Sequence, residues 1–572
     1  MNWSRKFNRR QLSNISEEMI NEIINNLHDK KFNVFEVHKL DKKELELMFR
    51  WPLYVITNIF IERITRLMSN NKMEIKKNNL HFIFNYRLNT SEVTNNLYNN
   101  DNLNYILLIL IKKILQEENI KEHDLSKYIT FNNKSTNIDL KLFVKNIIKN
   151  IRNFIFNKKY RNKYVYDNYH QLNSIFPKED KLLEMTYDKK VIDINLRKKI
   201  RDIIVPIASN YFFMLDSKIS NQKLSLLSLL YSRFVDYSLP LSLMENLYER
   251  VIFYNKIIGN NHIDKIHSAV GFYFSDNLKI FSILAKRKNT QTKLIQHEHG
   301  INNFISIISK NPDLPDFYKV ITAFNYLDYF LLWGEGKISD KFLDLEKKVS
   351  MKVINVGSVY LHNIKQTRIK KIDNNNQFLL LYSASPSRNF MTNLEEITPE
   401  HNIEHQKKVF DFISIILKKF KNSKLIYKPF TTSINPQILD YIKEKKLDER
   451  NFIISNNNAV TSMKIVDLVL FDNITTGLGE AISIGVPAIV YDNKFDYNKI
   501  TKEGKEINDL LHKKKIIFYN EFEGIEIVSS IIKNYSLFYK NSIESINQFQ
   551  KLTAYPRSKK EFLKILSQNN LI

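Results

Sequence analysis

The 572 residues include no cysteine. That absence excludes a disulfide scaffold, thiolate metal sites and cysteine nucleophiles. No Asp-x-Asp pair occurs either, which argues against a metal-bridged diphosphate and for neutralisation by lysine, arginine and helix ends. The basic start MNWSRKFNRRQLSN is followed by no apolar stretch, so no signal peptide is expected. The longest aliphatic runs, such as YILLILI at 105–111, fall far short of the roughly 20 residues a membrane-spanning helix needs. A cytoplasmic protein is expected. Any work at a membrane is expected at its inner surface, as a peripheral protein.

Positive charge is what the chain has in excess: 86 Lys and Arg stand against 61 Asp and Glu, a net charge of +25. Three sources compete for that excess. One is a composition rich in Asn, Lys and Ile throughout. Another is an anionic membrane surface or substrate, with lipid contributing about 1 kcal/mol per basic residue near it. The cluster KNIIKNIRNFIFNKKYRNK at 145–163 suits that source. The third is nucleic acid, which is not the expected partner, because zinc-finger spacing, an RRM-like aromatic motif and a homeodomain-like helix are all missing.

The length predicts two to four domains, and 43% hydrophobic content is enough to fill their cores. Residues 1–200 read as mainly helical, with apolar positions at helical spacing and Pro52 at a helix start or kink. The Asn-rich pieces near 96–104 and 132–137 read as loops. From about 200 short apolar runs alternate with helical segments: KIHSAVG (265–271), TKLIQHEHG (292–300), YFLLWGEG (329–336) and KVINVGS (352–358). Such runs, ending in Gly or a polar turn, are how buried parallel strands look. The polar stretch 362–377 reads as a linker. A second series follows, with strands FLLLYSASPS, KLIYKPF, NFIIS, VDLVLFDN, PAIVYDN and KIIFYN. The predicted fold class is α/β with two Rossmann-like halves, 201–365 and 366–532. A helical region precedes them, and C-terminal helices follow at 533–572.

The segment VDLVLFDNITTGLGEAISIGVPAIVYDN (466–493) carries the most chemistry. A strand ends at Asp472, and Thr475 and Thr476 then open a helix containing Gly477, Gly479 and Glu480. Ligands of open α/β sheets bind beyond the carboxyl ends of the strands. Free N–H groups at the helix start suit phosphate, and Thr hydroxyls add donors. Glu480, one turn on, is placed to accept from a sugar or ribose hydroxyl. The competing reading makes either threonine a plain N-cap and Glu480 an exposed helix residue. Lys428, at the end of KLIYK, puts an ammonium where a diphosphate could be neutralised. Ser383, Ser385, Ser387 and Arg388 follow the first strand of the second half, and Arg388 could clasp phosphate in a bidentate way. Ordinary turns and solvated surface cations are the alternatives for these residues.

Strand, Asp, Thr-Thr, Glu-Ala, Gly-x-Pro and a further apolar strand together resemble the donor-site element of GT-B glycosyltransferases. More narrowly, the order is similar to a family of bacterial surface-carbohydrate transferases of the capsule and lipopolysaccharide type. LPLSLMENL, TKLIQHEHG and DYFLLWGEG fit in sequence, so agreement spans roughly 240–495. The family's Gly-Gly after the histidine is replaced here by Glu298-His299-Gly300. The resemblance implies that 201–365 is the acceptor half and 366–532 the nucleotide-sugar donor half. It also implies transfer of a sugar or polyol phosphate to a surface-glycan or lipid-linked acceptor, with no cofactor. Such a transfer needs a base for the acceptor hydroxyl, and histidine or carboxylate suits it near neutral pH. The candidates are His297, which matches the family histidine, then Glu298 and His299. His297 is expected to open into the cleft between the halves. A zinc site is not expected, since no third ligand lies near His297 and His299. Two readings stand beside this one: a nucleotide-sugar epimerase or hydrolase of the same fold, and a non-catalytic glycan- or nucleic-acid-binding protein.

Overall fold

The computed structural model describes residues 9–29, 40–69, 81–117, 129–132, 159–160, 162–185, 192–300, 326–334, 351–365, 367, 377–387, 399–430, 434–447, 452–493 and 502–572. Strands β1 (Phe82–Asn85) and β2 (Ile129–Asn132) pair in parallel within the N-terminal region. A five-stranded parallel sheet follows: β3 (Tyr164–Tyr166), β4 (Lys265–Ser268), β5 (Lys293–His297), β6 (Tyr329–Leu332) and β7 (Lys352–Asn355), lying side by side in chain order. The second sheet has six strands: β8 (Phe378–Ser383), β9 (Ser423–Lys428), β10 (Phe452–Ile454), β11 (Leu468–Phe471), β12 (Ala488–Tyr491) and β13 (Ile517–Phe518). Their spatial order is β10-β9-β8-β11-β12-β13, and every pairing is parallel. Starting from β8 this is the doubly wound 3-2-1-4-5-6 pattern of a Rossmann fold. All four residues of β11 and of β12 are buried, as strands covered by helices on both faces must be. Two parallel α/β halves in one chain, the second with Rossmann winding, are the GT-B arrangement.

The N-terminal helices are not a separate attachment. Met19, Ile56, Leu107 and Leu230 share one continuous core with Ile266, Leu294 and Leu332 of the first sheet. The helix Lys42–Ser69 is buried from Glu44 to Leu67, so its charged residues must be paired. Arg50 bonds Glu17, and Glu62 takes both Arg63 and Arg66. Pro52 falls inside this helix rather than at its start. The Asn-rich stretch 96–104, expected as a loop, is helical at both ends: residues 90–99 form one helix, and Asn100 caps the next by accepting from Leu103 N–H. Residues 241–246 are turns, and the helix that follows begins at Leu247. Strand β3 lies inside the region read as helical. Most of the basic cluster 145–163 and of the linker 362–377 lies outside the described residues.

At its far end the chain returns to the first half. Phe562, Leu566 and Leu571 pack with Tyr166, Ile295 and Leu331. Tyr555 N–H donates to the Trp333 carbonyl at 2.8 Å, and Ser358 N–H donates to the Tyr555 carbonyl at 2.7 Å. Among the described residues no helix is long and apolar enough to cross a membrane.

Candidate functional site

The second sheet reverses its winding between β8 and β11, the switch point where a crevice opens beyond the carboxyl ends. Ser383 stands level with Lys428 on one side and Phe471 on the other. Just past β11 the buried Asp472 carboxylate gathers this edge. It accepts from Tyr382 OH at 2.9 Å, Ser385 N–H at 3.0 Å, Ser385 OH at 2.6 Å and Gln406 Nε2 at 3.1 Å. The Ser385 hydroxyl proton, expected to serve a phosphate, is therefore committed to Asp472, and only the oxygen lone pairs remain. Lys428 curls back so that Nζ donates to the Pro429 carbonyl at 2.7 Å, and burial lowers its pKa. Arg388 lies outside the described residues.

Thr475 is the N-cap of the helix Thr476–Ile484, yet its hydroxyl makes no capping bond. A plain capping role is thus set aside, and both threonine side chains are half-buried at the helix mouth. Close approach explains Gly477: a Cβ there would lie 2.7 Å from the Phe471 ring. Gly485, at φ +88°, ends the helix in the left-handed region. Glu480 accepts from Tyr360 OH at 2.8 Å, and burial raises its carboxyl pKa.

Tyr360 follows β7, so that bond crosses from the first half to the second. A second crossing lies beside it, where a Cβ on Gly300 would meet Thr476 Oγ1 at 2.6 Å. The turn after β5 therefore rests on the mouth of the threonine helix. Around these contacts lie His299, Tyr169 and His170. The Tyr169 ring is 6.3 Å from His299 and 4.5 Å from His170, and His170 is 5.9 Å from Tyr360. Among the described residues His299 Nδ1 is buried without a hydrogen-bond partner, and desolvation holds its pKa down to about 4. The ring is neutral at pH 7, with a lone pair on one nitrogen.

His297 is elsewhere. Its Nε2 lies 2.9 Å from His267 Nδ1, and His267 Nε2 lies 2.9 Å from the Leu571 carbonyl. A carbonyl only accepts, so His267 donates through Nε2 and takes the His297 Nε2 proton at Nδ1. Both rings are neutral, since burial lowers the His267 pKa to about 3 and pushes that of His297 well below its usual value. The His297 ring also stacks on Phe562 and meets Phe176 edge-on. This corrects the expectation of a His297 imidazole open to the cleft: the apolar strand carries it inside, where the returning C-terminal helix covers it. Glu298 is buried as well, its Oε2 accepting Trp333 N–H at 2.6 Å. Of the three sequence-predicted candidates, only His299 stands beside the threonine helix. Among the described residues no cluster of three His, Asp or Glu could hold a metal ion.

A family model described as LIC12162 family transferase matches residues 2–536. The chain belongs to the LIC12162 family of transferases. No curated protein matches its sequence. Among solved structures, this transferase is similar to a UDP-GlcNAc 2-epimerase of Methanocaldococcus jannaschii in complex with UDP-GlcNAc and UDP, at 16% identity and TM-score 0.32, over 57% of this chain and 81% of that one. It is similar to the sucrose-phosphate synthase of Thermosynechococcus elongatus at 10% identity and TM-score 0.35, over 57% and 78%. A third is S. aureus TarM in complex with Fondaparinux, alpha-GlcNAc-glycerol and UDP, at 14% identity and TM-score 0.32, over 57% and 58%.

Sequence reasoning passed over Tyr169, Tyr360 and Asp167. Asp167 follows β3 and accepts from Ser268 OH at 2.6 Å and Gly271 N–H at 2.9 Å, while burial raises its pKa to about 6. The one available signal was YVYDNYH (164–170), a three-residue apolar alternation ending in Asp. It is too short to read as a strand inside a helical region.

Proposed function

We propose that this transferase is a glycosyltransferase. It moves a sugar or polyol phosphate from a nucleotide-activated donor to a surface-glycan or lipid-linked acceptor. The observation that carries this reading is the contact of Gly300 with Thr476 at the switch-point crevice. It sets a histidine nitrogen with no partner among the described residues beside a helix mouth of the other half. In this reading the N–H groups and hydroxyls of Thr475 and Thr476 hold donor phosphate, with Ser383 and Lys428 lining the same strand edge. Lys428 would leave its neighbour's carbonyl for the diphosphate, and Arg388 would join it. Glu480, steadied by Tyr360, faces the donor's hydroxyls. His299 accepts the acceptor's proton as the anomeric carbon is attacked, in place of His297 and Glu298, which lie buried against His267 and the Trp333 amide. No metal is required, because cationic side chains and the helix end carry the charge of the leaving diphosphate.

The net charge of +25 further supports reversible attachment to an anionic membrane face. Co-sedimentation with anionic but not neutral vesicles, reversed by salt, is the expected result. The central test is a thermal-shift screen with CDP, UDP, GDP and TDP, since a ligand bound only by the folded form raises its stability. A hit should be followed by nucleotide release that depends on added acceptor. Release without acceptor, or isomerised donor, would favour a hydrolase or epimerase; no shift with any nucleotide defeats the donor reading.

A further inference from the structure

The helix Pro399–Lys419 starts beside the N-terminal helices and reaches the switch-point crevice within two turns. Glu400, its second residue, accepts from Arg66 Nη1 at 2.6 Å. Asn402 Nδ2 donates to the Pro386 carbonyl. His405 Nε2 lies 3.0 Å from the Asp472 carbonyl and 2.8 Å from that of Tyr491. Gln406 Nε2 donates to the Ser385 carbonyl at 2.8 Å and to Asp472 Oδ2 at 3.1 Å. Only about 9 Å of helix separates Glu400 from Gln406. The first two turns thus hold the backbone at Ser385 and Pro386 on one side and grip Arg66 on the other.

The grip has an electrostatic reason. Glu62, fully buried, bonds Arg63 and also Arg66, whose Nε lies 2.6 Å away. The Arg66 side chain is buried, and a buried guanidinium is stabilised by each carboxylate that reaches it. Glu400, half exposed, brings a second carboxylate to Arg66 from the second half. It also stands in the first turn of its helix, where an acid is favoured by the helix dipole.

We propose that the Arg66–Glu400 pair is the strut through which the N-terminal helices hold the nucleotide edge of the second half in register. Arg66 and Glu400 are positioning residues, acting through the 399–419 helix on Asp472 and Ser385. The inference builds on the donor-site reading above and gives the N-terminal helices a task in it. Breaking the pair lets the helix start shift, and the Ser385 amide loses its fixed carboxylate acceptor.

Glu400→Gln keeps the side chain's shape and an acceptor oxygen and removes only its charge, and Arg66→Met removes the other partner. Hydrogen exchange of the ligand-free protein reads the Ser385 amide in peptides covering 378–387, and calorimetry with UDP reads the edge's function. Each variant should raise exchange at Ser385 and weaken UDP binding by about fivefold to tenfold, the lower range of coupling between distant sites. The double variant should add little, because the pair acts as one unit. Exchange in the helix Asn221–Ser238 should not change, which separates loss of positioning from general loosening. Wild-type exchange at Ser385 in both single variants overturns the strut. Failure of the unaltered protein to bind UDP, CDP or GDP overturns the donor reading instead, and the exchange rates then decide the strut alone.

Discussion

The two sheets treat their carboxyl edges differently. In the first, β3 to β7 lie in chain order, and the edge is filled by its own side chains: Asp167 on Ser268 and Gly271, His297 on His267, and Glu298 on the Trp333 amide. In the second, winding reverses at β8, and Asp472 draws the Ser385 loop together beside a helix mouth whose threonine makes no cap. Reversal opens a crevice because the connections on either side of the switch point leave in opposite directions. Among the described residues the first sheet shows no reversal, so its contribution comes from the turn laid across it, here His299 and Gly300. Binding is expected of the second half, and proton transfer of that one turn in the first.

The sharpest way to break this contrast is to exchange the fates of the two histidines. His299→Ala should lower transfer about 10²–10⁴-fold, as expected for loss of a general base, with folding preserved. His297→Ala should act mainly on stability, since it strips the His267 Nδ1 partner and the stack on Phe562. A rate loss for His297→Ala with an unaltered melting temperature would reverse the assignment. On the other half, replacing both Thr475 and Thr476 with Val should weaken nucleotide binding by about 1–3 kcal/mol, the order for hydrogen bonds to a charged group. Calorimetry showing unchanged affinity in a folded variant would remove the threonines from the site.

Acid should separate the edges next. His267, His297 and His299 are all held neutral, with pKa values below the ordinary 6.5. Their unfolded forms gain protons first, so stability is complete above about pH 6.5 and falls as the pH drops toward the folded values of about 3 for His267 and about 4 for His299. Each such group shifts the folding equilibrium about tenfold per pH unit inside that window. Asp167, raised to about 6, has the opposite sign between about 4 and 6 and offsets part of the loss. Melting temperatures at pH 7.5, 6.5 and 5.5 should fall below pH 6.5, and His297→Phe should flatten the slope. A slope unchanged by that substitution would deny the buried pair its part.

How far the sequence revealed this arrangement depended on whether a signal was local. Strands β11 and β12 and the helix between them were readable because apolar runs, hydroxyls and glycines sit within one short segment. The second half as a whole was readable for the same reason. The sharing of one core by the N-terminal helices and the first sheet was not, since it joins residues as distant as Met19 and Leu332. Strand β3 escaped because three residues give too little alternation in a lysine-rich region. Asn100 misled because the residue that breaks a helix also caps one. His297 misled most. Its strand-end position suggested a cleft, but the groups that cover it are His267, thirty residues earlier, and the returning helix with Phe562. A polar residue at a strand end is exposed only if nothing later in the chain packs over it.

The gentlest test concerns the point where the two edges meet. A methyl group on Gly300 would fall 2.6 Å from Thr476 Oγ1, with the rest of that side chain 3.7 Å away. The obstructing atom ends a rotatable side chain, so Thr476 can turn to another rotamer, at a cost of about 1 kcal/mol or less. Gly334 makes the contrast. A Cβ there would run into the Leu552 backbone oxygen, which cannot turn aside, so Gly334→Ala should lower the melting temperature clearly. Gly300→Ala should leave the melting temperature within a degree or two of wild type. It should weaken nucleotide binding only a few-fold, because the turned hydroxyl no longer points into the helix mouth. Paired calorimetry and melting curves on both variants would check this. If Gly300→Ala destabilises the fold as much as Gly334→Ala does, the β5 turn is a fixed packing contact between the halves. If neither property of Gly300→Ala changes, the turn stands further from the threonine helix than 2.6 Å implies, and His299 loses its claim to the crevice.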